Sequence, residues 1–204
     1  MIRFWLVVVL AAVTLLGGNA CRRRKEGPVP GVPYDSGTTS PKLSTFVFKE
    51  ESKYYLMTVG VNAARMHDED EYVPLSVVVV NRSLKPMLIY RESFTMVDPV
   101  SGARYSMAGV AEVRKQGKQF YDRKLMDVEH LSLKLSAYDQ VPSNFFPSQE
   151  LVRDQIELHQ FQFMIDNLYF PRPEGELLGK TFELHLDAKG LEDPLFVVFT
   201  IPEA

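Results

Sequence analysis

One cysteine, Cys21, is all the thiol this chain of 204 residues contains. An internal disulfide and a Cys-rich zinc site are both excluded by that number. Four histidines and the lack of any G-x-S-x-G elbow, Walker loop, dinucleotide glycine fingerprint or H-E-x-x-H pair leave little material for hydrolytic, nucleotide or zinc-protease chemistry. Positive charge is scarce where a fold is expected: residues 43–204 carry 17 bases against 24 acids, near -7. A surface of that sign repels phosphate backbones, so nucleic acid is excluded as a general partner. No internal repeat is present.

What is there begins at the N-terminus. Arg3 precedes an unbroken apolar run from Phe4 to Leu16, and Gly17-Gly18-Asn19-Ala20 supplies small residues before Cys21. A run of 13 is short for a bilayer core of ~30 Å and has the length of a signal-peptide h-region. It has no polar face, so a buried helix of the fold is a poor alternative. The segment resembles the signal peptides of bacterial lipoproteins, with Ala20-Cys21 at the two positions nearest cleavage, although Gly18 and Asn19 depart from the usual pattern. The resemblance implies that Cys21 is acylated and anchors the mature chain to the envelope, facing the periplasm or the cell surface. Two alternatives stay open. Gly18-x-Ala20 also suits ordinary signal peptidase. The cluster Arg22-Arg23-Arg24-Lys25 favours an uncleaved anchor with a cytoplasmic domain, because clustered bases tend to stay inside. On an exported chain the same bases suit anionic headgroups.

Residues 21–42 hold four prolines and three glycines with few large apolar side chains, and read as a lipidated cysteine followed by a flexible tether. The organisation expected is a signal peptide over 1–20, a tether over 21–42 and a β-sandwich domain over 43–204. Strands are expected over Leu43–Lys49, Tyr54–Ala63, Met87–Tyr90, Ser93–Val97, Arg104–Met107 and Leu195–Ile201. Val73–Val80 (VPLSVVVV) has the near-continuous apolarity of a central strand covered on both faces. Asp98-Pro99-Val100-Ser101-Gly102 carries hairpin-turn chemistry. Residues 108–127 suggest a short amphipathic helical insertion. The alternation at Ile156–His159 changes phase by Phe161–Ile165, predicting a bulge near Gln160. Many short strands without βαβ alternation predict a mainly β, antiparallel sandwich. Val77 to Tyr105 resembles the Ig-like modules of secreted bacterial lipoproteins, which implies a fold and no activity.

Candidate sites follow from residue type. Aromatic and Arg side chains on loops are common binding anchors, which singles out Phe145-Phe146-Pro147 and Tyr169-Phe170-Pro171-Arg172 for a protein or ligand partner. The bland reading tucks these rings into the ends of the core. Glu157 and His159 share one strand face, as do Glu183, His185 and Asp187. A hairpin between the two strands would gather carboxylates and imidazoles suited to a divalent ion, although any half-exposed strand alternates in this way. The acidic run Asp68-Glu69-Asp70-Glu71 lacks the spacing of a calcium loop and reads as a solvated turn. The expectation is therefore a non-catalytic, membrane-tethered binding module without a cofactor. A metal-dependent envelope enzyme or carrier using His159 and His185 is the rival, and a plain structural spacer is the third reading.

Overall fold

The computed structural model describes residues 39–115, 133–145 and 152–203. The expected signal peptide, Cys21, most of the tether, Phe146 and residues 116–127 of the helical insertion lie outside them.

The fold is mainly β, and among the described residues helix is confined to short pieces. A six-stranded sheet is ordered β1-β2-β3-β4-β10-β8, with β1 Lys42–Ser44, β2 Val47–Glu51, β3 Tyr55–Gly60, β4 Tyr72–Asn81, β8 Asp139–Gln140 and β10 Gln162–Pro171. Every pairing in it is antiparallel except β8 with β10. A four-stranded antiparallel sheet is ordered β12-β11-β6-β7, from β6 Phe94–Val97, β7 Arg104–Ser106, β11 Thr181–Leu186 and β12 Leu195–Thr200. β5 Met87–Tyr90 and β9 Gln155–Leu158 form a separate pair. Among the described residues there are also two short α-helices, α1 Asn62–Met66 and α2 Val110–Lys115. No helix among the described residues is long and apolar enough to cross a membrane.

β4 is the centre of the molecule. It lies between β3 and β10, and Val73 to Val80 are all buried, as the apolar run predicts. Its odd-numbered residues Val73, Leu75, Val77 and Val79 enter the main core with Phe94, Phe182, Leu184 and Phe199 from the other sheet. Its opposite face is dry for a local reason: Val78 and Val80 join Leu56, Phe163 and Ile165 beneath Leu133, Leu135 and Tyr138. Burying one such aliphatic side chain contributes about 1.5–3 kcal/mol, so both faces of one strand contribute to stability.

Local chemistry sets several boundaries. Asp98 accepts from the amides of Val100 (2.9 Å) and Ser101 (3.3 Å), and Gly102 takes φ +74°, so β6 returns as β7 where the turn residues predict it. Other expectations need correction. The strand expected over Leu43–Lys49 is divided by a turn at Thr45-Phe46. Ala63 belongs to α1 and not to the preceding strand. No bulge joins Ile156 to Ile165: the chain reverses at His159–Phe161 and enters a different sheet. Before β1, Ser40 is already fixed, its amide donating to the Val198 carbonyl at 2.9 Å and its hydroxyl to Glu50 at 2.7 Å.

Candidate functional site: the loop end of the large sheet

Of the aromatic residues singled out from sequence, the described Phe145, Tyr169 and Phe170 are core. Tyr169 and Phe170 lie inside β10 and are buried, because the strand runs on to Pro171, whose missing N–H falls at the terminal pair with Tyr72. Phe145 is fully buried, its ring edge-on to Phe94 at 6.4 Å. Its amide donates to the buried Asp166 carboxylate at 3.0 Å, and its carbonyl accepts from Arg91 at 2.6 Å. These three rings therefore offer no contact surface. Arg172 is engaged at home, its Nε donating to the Asp68 carbonyl at 2.6 Å and so bracing the acidic turn.

The strands expected to gather a metal site belong to different sheets: β9 pairs with β5, and β11 with β6 and β12. Glu157 and His159 are exposed on one and do not meet His185 or Asp187 on the other. Among the described residues no group of three or more His, Cys, Asp or Glu side chains is gathered to hold a metal ion. One part of the set does meet. His185 contacts the fully buried Glu183 and lies against the Phe196 ring, with centroids 5.7 Å apart. Glu183 sits on the face that alternation assigns to solvent.

The exposed chemistry lies elsewhere, at the end of the large sheet where β2 turns into β3, β4 leaves for β5, and β9 turns into β10. Loop 187–194, which joins β11 to β12, arrives at the same place. These loops enclose a cleft of about 520 Å³ bordered by Tyr54, Arg82, Leu84, Lys85, Gln160 and Leu191. Each of the first three loops projects one large apolar residue: Tyr54 is 50% exposed, Leu84 85% and Phe161 53%.

Specific bonds hold these loops. Ser52 Oγ accepts from the amides of Tyr54 (3.1 Å) and Tyr55 (3.2 Å), closing the β2–β3 turn. Buried Asn81 is the hub: its Nδ2 donates to the carbonyls of Lys85 (2.9 Å) and Leu158 (2.8 Å), and its Oδ1 accepts from Ser83 N at 2.8 Å. One amide thus joins loop 82–86 to the end of β9, leaving three backbone groups to its side chain. Arg82 reaches Glu51 at 2.8 Å and the Tyr138 hydroxyl at 2.9 Å, with its guanidinium over the Tyr138 ring at 5.8 Å. Burial pulls the Arg82 pKa down, but the bonds to Glu51 and Tyr138 outweigh this and hold it above its ordinary value. Hydrogen bonds from Lys49 and then Arg82 hold the Glu51 carboxyl below its own. Lys53 lies over the Tyr54 ring at 5.2 Å, and Lys85 reaches Glu192 at 3.3 Å.

Two backbone features make this end unusual. Phe161 has φ +60°, a left-handed conformation that a bulky side chain rarely adopts and that costs on the order of 1–3 kcal/mol. Its ring does not enter the core but leans on Tyr138, centroids 6.4 Å apart. Gly190, at φ +106°, passes so close to Pro86 that a Cβ there would lie 2.2 Å from the Pro86 carbonyl oxygen.

Tyr54, Leu84 and Phe161 were not singled out from the sequence. The only local signal was the change of phase around Gln160, which marks the corner where Phe161 sits. Chemically, the loop end can present apolar and aromatic surface with flanking ammonium groups, and it carries no arrangement of nucleophile and base. No protein-family model, characterised protein or solved structure matches the chain.

Proposed function

We propose that this chain is a non-catalytic envelope lipoprotein, tethered through an acylated Cys21, whose domain is an Ig-like sandwich serving as a binding module. The apolar run ending at Ala20-Cys21 supports the anchor, and the Pro/Gly-rich segment after it supports a tether. The mainly β architecture with antiparallel sheets and loops gathered at one end supports the module. The observation that carries the reading is the loop end itself. Tyr54 and Leu84 border a cleft, Phe161 projects from the neighbouring β9–β10 turn, and the last of these sits on strained backbone. Proteins retain strain of this kind where function requires a particular side chain.

Mass spectrometry of the N-terminus from membrane fractions, wild type against Cys21→Ser, tests the anchor. The expected mature chain starts at an acylated Cys21, and the substitution abolishes it. A chain retaining Met1 would instead assign the topology to Arg22–Lys25 and place the domain in the cytoplasm.

A further inference from the structure

The direction from which the chain enters the domain says what the loop end faces. Ser40 lies beside Glu50, at the end of β2 that leads into the Ser52–Tyr54 turn, and β1 then runs away from that end. The segment coming from Cys21 therefore joins the domain next to Tyr54, Leu84 and Phe161. Even fully extended, the chain from Cys21 to Ser40 reaches no more than about 65 Å. A lipid on Cys21 holds the entry point at this end within about 65 Å of the bilayer.

Charge is divided along the same axis. At the loop end the acids are matched by Lys53, Arg82, Lys85 and Lys189. The opposite end, where β4 begins and β10 finishes, carries Asp68, Glu69, Asp70, Glu71, Glu174 and Glu176 against Arg65, Arg172 and Lys180, an excess of acid. Near an anionic bilayer the acidic end is repelled, and the balanced end is the one that can approach. What it brings is suited to the interface: a tyrosine beside a lysine, a protruding leucine beside another, and a phenylalanine, each at a loop tip.

We propose that Tyr54, Leu84 and Phe161 dock the loop end onto the phospholipid surface that holds the anchor, with Lys53 and Lys85 at the phosphate level. The proposal rests on the lipoprotein reading above. Weak insertion of three side chains suffices, because the tether makes docking intramolecular and multiplies its effective concentration. A protein partner would bind apolar tips as well, but the tips share an end with the entry point of the chain and this end lacks the acidic excess of the other.

The test uses the full chain, acylated and reconstituted in vesicles of phosphatidylethanolamine and phosphatidylglycerol that contain lipid brominated at a shallow acyl position. The mature chain that starts at Cys21 has no tryptophan, since Trp5 lies in the expected signal peptide, so a single reporter is introduced as Leu84→Trp. The control reporter is Val100→Trp, because Val100 is 79% exposed in the β6–β7 turn at the opposite end. The expected result is a blue-shifted, lipid-quenched Leu84→Trp and an unquenched Val100→Trp. Adding Phe161→Asn should lower the docked-to-free ratio about three- to tenfold. Two equally unquenched reporters on a chain whose acylated Cys21 is verified by mass would overturn docking while leaving the lipoprotein reading standing. A chain that is not acylated overturns both. A Leu84→Trp that is unquenched by lipid, but crosslinks to a protein in intact envelopes once carrying a photoreactive group, gives the surface to a protein partner and overturns the proposal.

Discussion

Gly190→Ala is the substitution that most directly probes how the loop end is held. At φ +106° an L side chain is strained in any surroundings, at roughly 1–3 kcal/mol. The new Cβ would also lie 2.2 Å from the Pro86 carbonyl oxygen, which belongs to backbone and cannot swing aside. Loop 189–191 and residues 86–88 must then separate, loosening the paired bonds between Leu88 and Lys189 (2.9 and 3.1 Å). Two hydrogen bonds at about 1 kcal/mol each, added to the strain, give an expected loss of about 3–5 kcal/mol. Gly102→Ala supplies the control, since Gly102 has φ +74° but nothing within 4 Å of its would-be Cβ. It should lose only the strain, about 1–2 kcal/mol. Urea unfolding of the two variants, compared at equal m-value, reads the difference directly. Equal midpoints would refute the argument, because the close approach to Pro86 would then have no energetic consequence.

Two further outcomes are expected. Phe161→Asn removes a large apolar side chain yet should leave unfolding stability unchanged or raise it by up to about 1 kcal/mol, because asparagine tolerates the left-handed backbone better. A thermal or urea-measured loss above about 1.5 kcal/mol would mean that the ring's packing on Tyr138 outweighs the strain. For Glu51 the folded pKa lies below the ordinary 4.5, so its contribution is present above that value and fades as pH falls through the folded one. The group is mostly solvated, which limits the effect to about 0.5 kcal/mol or less. Glu51→Gln should flatten the acid limb of the stability–pH curve below pH 4.5 at low salt, and an unchanged slope would assign that limb to other carboxylates.

Features of the fold governed by neighbouring residues were readable from the sequence. Val73–Val80 declares a strand covered on both faces because eight residues in a row avoid water, and the Asp98–Gly102 turn follows from side chains that bond their own backbone. Pairing between distant segments is not written locally. The alternations at Ile156–His159 and Phe182–Asp187 looked like partners, yet each pairs elsewhere, since a half-buried strand carries no mark naming its neighbour. Tyr169-Phe170-Pro171 read as a loop because proline so often ends one, but a strand whose last residue is proline loses only an N–H at its terminus. Glu183 was expected at a wet face, and its burial beside His185 depends on what packs over that face. The loop end shows the same limit: Leu84 and Tyr54 resemble unremarkable surface residues until the topology brings their loops together.

The way Ser40 is fastened bears on mechanical force. If the chain is held at Cys21 and the domain is dragged away from its support, tension enters at Ser40 and runs nearly along the axis of β1. The bonds from Ser40 to Val198 and Glu50, from Lys49 to the Pro41 carbonyl, and between β1 and β2 then bear the load side by side in shear. A peeling geometry would break them one at a time. Joined in this way to both a β2 residue and the C-terminal strand, the entry segment spreads a pull on the anchor across two sheets before any single turn has to yield.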